Sequence, residues 1–484
     1  MIMSRVSKFT IVLLSCCVIS CTPPKRDLVP TQNPNVLLIS IDDLNDWTGS
    51  LGGHPQALTP NIDRLASEGV LFTNAHCQSP VCNPSRASLM SSLYPSTTGV
   101  YFLFPDPMES PIYAQTTLMP ERFSQEGYKV AGVGKLFHNA DQQNERSFPL
   151  YGGRLGGFGP LPEQRIVDYP GLRLWDWGVY PEQDSLMPDH QVADWAIDFL
   201  SADQDSSFFL GVGFYRPHVP QFVPQKWFDM YPLDSIQLPK IMPNDLEDVS
   251  SYATDLTRLE HVSPPFEWVI ENEEWKPLVQ SYLACVSFVD YQVGRVLDAL
   301  EKSPYADNTY VALFSDHGFH LGEKERFAKR SLWADGTQVP LIFAGPGIPK
   351  GVKQNQPAEL IDIYPTLLDL SDLDPDSLHE GQSLVPLLNG SESSWHHVAR
   401  TSFGPGNNAI ISDQYRYIQY TDASEELYDI VNDPHEWHNL INDPAYSKVV
   451  EALKKHLPKS SHLILGEGST GHKAYYAAEE NRGE

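Results

Sequence analysis

The chain is poor in cysteine, poor in positive charge and, past its first residues, without a long apolar run. Six cysteines stand among 484 residues, and Cys16, Cys17 and Cys21 lie close to the start. Only Cys77, Cys82 and Cys285 are left for the folded body, which excludes a disulfide scaffold. If Cys77 and Cys285 pair, Cys82 stands alone and needs a reason to be there. Lys and Arg number 34 against 62 Asp and Glu, a net charge of −28. Nonspecific nucleic-acid binding depends on neutralising phosphates, so that function is excluded. No stretch beyond Cys21 is long and apolar enough to span a bilayer as a helix.

What is present describes a large folded unit. Hydrophobic residues make up 41% and aromatics 11%, so a sizeable core can form and global disorder is excluded. The length fits two to four units, or one large α/β unit with an appendage. The 40 prolines predict long irregular connections, which often carry sites on such scaffolds.

Arg5 and Lys8 precede the apolar run Phe9 to Ile19, the layout of a secretory leader. Val18-Ile19-Ser20-Cys21 resembles a bacterial lipobox. The resemblance implies a leader over 1–20, lipid on Cys21 and a tether over 21–33; an ordinary signal peptide cut elsewhere is the other reading. Such a protein is exported to the periplasm or outer membrane and touches membrane only through its lipid. Cleavage removes Arg5 and Lys8, and the balance becomes 32 − 62 = −30.

Val36 to Ile41 is a continuous apolar run, the pattern of a strand buried on both faces. Thr59-Pro60 opens a short helix, and Pro84 sits where another begins. Leu118 to Glu126 followed by Val130 to Val133 forms a helix–strand unit. Residues 139–190 lack periodicity and read as long surface loops. His190 to Leu200 is helical and Phe208 to Gly213 is a buried strand. Pro277 to Lys302 is the longest helix, apolar at a period near 3.6. Tyr310 to Phe314 and Leu341 to Phe343 are further strands. The alternation predicts a mainly parallel sheet covered on both faces, an α/β fold. The character changes near residue 405: Ala409 to Tyr420 and Glu426 to Ile430 read as hairpin strands of a smaller α+β subdomain. The expected division is 34–405 for the catalytic domain and 406–484 for the C-terminal subdomain.

Ligands of open α/β sheets sit beyond the carboxyl ends of strands. Asp42-Asp43 and Asp316-His317 fall there, and Cys82-Asn83-Pro84-Ser85-Arg86 opens a helix. Three carboxylates brought together repel unless a cation joins them. Oxygen ligands suit Ca²⁺ or Mg²⁺. An isolated acidic pair after a strand is otherwise a cap or solvated turn. Cys82 precedes a helix N-terminus, where backbone N–H groups and the helix dipole stabilise an anion. Arg86, in the first turn, can hold a tetrahedral oxyanion with its planar fork. A lone cysteine near a helix start is otherwise a small buried apolar residue.

Cys82-x-Pro84-Ser85-Arg86 resembles the sulfatase nucleophile motif. Asp42-Asp43, Gly127-Tyr128 with Gly134-Lys135 and His138, Arg216-Pro217-His218, and Asp316-His317-Gly318 with Leu321-Gly322-Glu323 and Lys329 extend the likeness over nearly the whole mature chain. The sequence resembles the type I sulfatases of the alkaline-phosphatase-like superfamily, the iduronate-2-sulfatases in particular. The resemblance implies an α/β/α sandwich with an antiparallel C-terminal sheet. It implies that a formylglycine-generating enzyme converts Cys82 to formylglycine. One hydroxyl of the aldehyde hydrate attacks sulfur in line with the leaving oxygen; the other then loses its proton and ejects sulfate, restoring the aldehyde. A serine would stay trapped as its sulfate ester.

The same resemblance implies one Ca²⁺ held by Asp42, Asp43, Asp316, His317 and the Cys82-derived oxygen. His317 stands where many relatives have Asn, and either ligates through a ring nitrogen or orients a neighbour. Arg86, Lys135 and Lys329 would neutralise the sulfate and the charge developing on it. His138 would handle the diol proton and His218 would protonate the leaving oxygen. Asn83, Ser91-Ser92 and Val130 depart from the usual pattern. The first two changes put maturation efficiency in question but remove no catalytic group.

A substrate polyanion meeting so acidic a chain needs a local positive funnel. Lys324, Arg326, Lys329 and Arg330, with Arg216 and Arg86, are the expected contributors. Trp175, Trp177 and Tyr180 either stack on sugar faces or pack on the main domain. Sulfated uronic acids of glycosaminoglycans and the rhamnose–uronate units of ulvan are the expected substrate classes. The rival readings are a phosphonate or phosphate ester hydrolase on the same scaffold and a catalytically dead glycan-binding lipoprotein.

Overall fold

The structure, a computed structural model, describes residues 33–138, 141–257, 263–390 and 395–465. The expected leader, the lipidated Cys21 and all but the last residue of the tether lie outside the described residues.

Eight strands build the central sheet: β1 (Asn35–Ile41), β2 (Gly69–Phe72), β3 (Lys129–Gly134), β4 (Leu150–Tyr151), β5 (Phe208–Phe214), β6 (Thr309–Ser315), β7 (Leu341–Ala344) and β8 (Val352–Gln354). Their spatial order is β8-β2-β7-β6-β1-β5-β3-β4. Only β7 runs against its neighbours. β1 lies in the middle, its residues Val36 to Ile41 paired with β5 on one side and β6 on the other. A strand covered by helices on both faces has no solvent face to display, which is why NVLLISI, FFLGVGF and TYVALFS are buried along their whole length.

One face carries the helix Trp275–Lys302, whose Leu278, Tyr282, Cys285, Val289, Val293 and Val296 join Leu37, Ile39, Leu210 and Val212 in one core cluster. The opposite face carries Leu89 and Met90 of the helix Cys82–Ser91 and Leu367 of the helix Ile363–Leu370. Burying one such Leu or Val side chain contributes about 1.5–3 kcal/mol. Leu283→Ala would open a cavity and cost about 2–5 kcal/mol. The expected sandwich is present.

Cys77 belongs to one face's core and Cys285 to the other, with the sheet between them. Both are free, so the pairing considered from sequence does not form. Residues 139–190 are not all loop: the helix Asp141–Ser147, β4 and the short strand Trp177–Val179 lie inside them. Polar sequence hid the helix, and segments of two or three residues are too short to show a period.

Four antiparallel strands form a second sheet: β9 (Ala399–Ser402), β10 (Asn408–Ile411), β11 (Tyr415–Gln419) and β12 (Glu425–Asp429), in that order. This sheet begins before residue 406, at a strand whose four residues carry no legible alternation in the sequence. The helix Ser447–Lys454 covers one side of it through Val450 and Leu453. Among the described residues no helix is long and apolar enough to cross a membrane.

Candidate active site

The parallel strands end on one edge of the sheet, and the singled-out residues gather there. β1 delivers Asp42 and Asp43, β6 delivers Asp316 and His317, β3 delivers Lys135, and the turn after β5 delivers His218. The helix Cys82–Ser91 starts at the centre of this group. Asp43 adopts φ 65, a left-handed conformation that aspartate tolerates better than most residues. Its N–H donates to Asp316 Oδ1 at 3.2 Å and its carbonyl accepts from Tyr282 Oη at 2.8 Å. The loop after β6 is pinned through Leu44 N–H to Ser315 Oγ, 2.9 Å, and Ser85 Oγ to the Asp316 carbonyl, 2.5 Å.

Three buried carboxylates face three buried cations. Lys135 Nζ pairs with Asp42 Oδ2. Lys329 Nζ lies 2.6 Å from Asp43 Oδ1, and Arg86 Nε donates to Asp316 Oδ2 at 2.8 Å. Arg86 is fixed further by Ser40 Oγ at 3.0 Å and the Lys135 carbonyl at 2.5 Å, which leaves its Nη2 without a hydrogen-bond partner and facing Asp42 at 3.5 Å. The Cys82 sulfur lies 3.1 Å from His317 Nε2 and 3.3 Å from Lys329 Nζ.

These contacts set the ionisation of the site. Burial would raise the Cys82 thiol, but Lys135, Lys329 and His317 outweigh it and hold the group well below the ordinary thiol range. Burial raises Asp316 and Asp42 adds to the effect against Arg86, while Lys135 overcomes burial at Asp42 and lowers it. Burial opposes charge on His317, yet Asp316 and Cys82 hold it up at about 9. Burial pushes His138 down to about 4 although it faces the Cys82 sulfur, so at neutral pH it is an uncharged base. His218 keeps Nδ1 on the Val219 carbonyl at 2.5 Å and turns Nε2 toward Asp43 Oδ2, 3.9 Å away. Phe158 stacks on its ring, centroids 4.2 Å apart, and also lies 4.8 Å from Lys135 Nζ.

A cation fits these residues. Asp42 Oδ1 and Asp43 Oδ2 are buried and accept no hydrogen bond. Donor atoms of Asp42, Cys82, Asp316 and His317 lie within 4.8 Å of one another, as do those of Asp42, Asp43, Cys82 and His218. Carboxylate oxygens dominate the set, which favours a hard divalent ion such as Ca²⁺.

Every residue singled out for catalysis or metal binding is thus in one place. The funnel is not. Lys324 turns away to Asp245 Oδ1 at 2.8 Å, and Arg326 donates to the Thr257 carbonyl at 2.8 Å. Arg216 is buried and donates through Nε to the Phe222 carbonyl at 3.0 Å. Arg330 is buried as well, close enough to feel the charges of Cys82 and Asp43. Trp175 and Trp177 are core residues, the first stacked near Phe319 and the second donating to Glu274 at 2.9 Å. Tyr180 packs edge-on against Phe222. Sequence reading passed over Ser40, Phe158 and Tyr282, whose types carry no signal until their partners are known.

An α/β/α sandwich with a thiol, three acids and three cations at its strand ends defines a hydrolase of the alkaline-phosphatase-like class. The sulfatase family pattern matches residues 34–373, and the pattern described as N-sulphoglucosamine sulphohydrolase, C-terminal, matches residues 322–462. The chain belongs to the sulfatase family and is a sulfuric ester hydrolase. It is 44% identical to a sulfatase of Formosa agariphila over 97% of this chain and 96% of that one. It is 33% identical to human iduronate 2-sulfatase over 66% of this chain and 60% of the human one. An ulvan-active sulfatase of Formosa agariphila is 30% identical over 89% of this chain and 81% of that one. Among solved structures, a 2-O GAG sulfatase superposes with TM-score 0.68 at 25% identity, covering 88% of this chain and 91% of that one. The phosphonate monoester hydrolase of Agrobacterium radiobacter shares the fold at TM-score 0.70 and 22% identity, covering 88% and 94%.

Proposed function

We propose that this sulfatase hydrolyses sulfate esters of a uronate-bearing sulfated polysaccharide or its oligosaccharides, with formylglycine made from Cys82 and one Ca²⁺. The observation that carries the reading is the Cys82 sulfur, standing where the hydrate oxygen would stand, in contact with both Lys329 and His317. The relatives named for iduronate, ulvan and 2-O GAG sulfates support the substrate class. In the same reading the chain is exported and anchored by lipid on Cys21, in the periplasm or outer membrane.

Asp42, Asp43, Asp316 and His317 would hold the ion, which supplies a fixed positive charge to polarise the nucleophile and the sulfate. Arg86, Lys135 and Lys329 balance the three carboxylates, so a divalent ion leaves the pocket positive for a sulfate monoester. Arg86, Lys135 and Lys329 are held in place before substrate arrives and cost no reorganisation when charge builds on the sulfate oxygens. His138, neutral and beside position 82, takes a proton from the hydrate. His218, its Nδ1 held by the Val219 carbonyl, presents Nε2 as the acid toward the leaving sugar oxygen.

The test is mass analysis of the peptide bearing position 82, from a host that makes formylglycine, combined with turnover of defined sulfated oligosaccharides. The aldehyde and its turnover are expected together, and both are absent in Cys82→Ala. An unaltered thiol in fully active protein rejects the reading.

A further inference from the structure

A second group of ligand-bearing side chains lies outside the catalytic set. A cavity of about 720 Å³ between the main sheet and the C-terminal part is lined in part by Asp46, Glu323 and Asp335. Among the described residues none of these three acids pairs with a lysine or arginine. Lys324, next in sequence to Glu323, points instead to Asp245. Three carboxylates lining one cavity repel one another. Such a group is costly without a cation.

An independent feature says which cation. His320 is fully buried, and its Nδ1 has no hydrogen-bond partner. That atom lies 3.8 Å from Asp335 Oδ2, too far for a hydrogen bond, and a carboxylate oxygen of Glu323 completes a group within 4.8 Å. The other ring nitrogen, Nε2, meets Ser331 Oγ at 2.6 Å. If Nε2 carries the proton, the Nδ1 lone pair is left aimed at the acids; burial keeps the ring neutral. Glu323 is oriented in turn by the Leu321 N–H, 2.7 Å from its Oε2.

We propose that His320, Glu323 and Asp335 form a second metal site, taking Zn²⁺. One imidazole nitrogen and two carboxylates, with the cavity supplying open positions, match zinc; calcium needs six to eight oxygens, which this trio lacks. The site has a mechanical consequence. His320 pairs across a two-stranded ribbon with Ala328, the residue before Lys329. An ion on His320, Glu323 and Asp335 therefore clamps the base of the loop that carries Lys329 to Cys82, and acts as a positioning ion. The inference does not rest on the identity of the substrate.

Chelator-stripped protein, resaturated with Ca²⁺, is titrated with ZnCl₂ by calorimetry, and bound zinc is counted by mass spectrometry. Wild type is expected to take one Zn²⁺ per chain. Asp335→Asn and His320→Gln are each expected to lose at least about tenfold in affinity. Asp335 is 28% exposed at its side chain, so that variant tests binding without disturbing a buried group. No zinc uptake by wild type, or an equivalent that survives both substitutions, as it would if zinc occupied the catalytic set, overturns the proposal.

Discussion

Lys329 Nζ stands 3.3 Å from the sulfur of Cys82. The same ammonium meets Asp43 at 2.6 Å, so one side chain joins the nucleophile to an acid delivered by the central strand. A charge held this rigidly is worth most when negative charge grows on the sulfate. Lys329→Ala is expected to lower kcat/KM by about 10²–10³, or about 2.7–4 kcal/mol. Steady-state kinetics beside a melting curve checks this. Unchanged kcat/KM with unchanged stability would remove Lys329 from the mechanism.

His218 differs from the lysines because its expected work depends on the leaving group. His218→Ala is expected to cost about 10²–10⁴ on a sugar sulfate, whose alkoxide needs a proton. On 4-nitrophenyl sulfate, whose phenolate leaves unaided, the loss should be far smaller. Equal losses on both substrates would assign His218 to holding Asp43 rather than to acid catalysis.

Removal of metal tests the oxygen-rich set at the strand ends. Chelation is expected to abolish turnover, and Ca²⁺ to restore it. Ca²⁺ at about 100 times its Kd should add about 2.7 kcal/mol to stability. Asp42→Asn should blunt that gain. A melting temperature indifferent to Ca²⁺ in wild type would contradict the assignment.

Asp290 supplies a pH test away from the catalytic group. It sits on the long helix, accepts the backbone N–H groups of Asn61 and Ile62, and is raised from 3.8 to about 6, burial outweighing those hydrogen bonds. The folded form therefore holds this proton more tightly than the unfolded chain. Its contribution to stability is complete below pH 3.8 and is lost as pH rises through 6, a gap of about 3 kcal/mol. Denaturant titrations of wild type and Asp290→Asn should diverge in slope across that window. Parallel pH profiles would show that Asp290 titrates normally.

Much of the site was legible because buried parallel strands are unbroken apolar runs, and the residues just past each run come to lie on the same edge. While Lys135 was reached only through the family resemblance, Asp42 and Asp316 could be read in that way. Lys324 and Arg326 could not. Their partners, Asp245 and the Thr257 carbonyl, lie 79 and 69 residues away, and only the fold brings them together. Charge spacing along the chain therefore suggested a funnel where the molecule has internal braces. Trp175 and Trp177 failed for the same reason. An aromatic side chain looks alike in sequence whether it faces sugar or core, and Trp177 is settled by Glu274, 97 residues on.

β1 is made first, yet it is not paired on both sides until late. Its second edge waits for β6, and Cys82 is sealed by His317, 235 residues further along. Such a topology folds slowly, since remote segments must meet before the middle of the sheet closes. An enzyme that oxidises position 82 would accordingly have to work on the chain as it emerges, in the interval before the later segments arrive and shut it off.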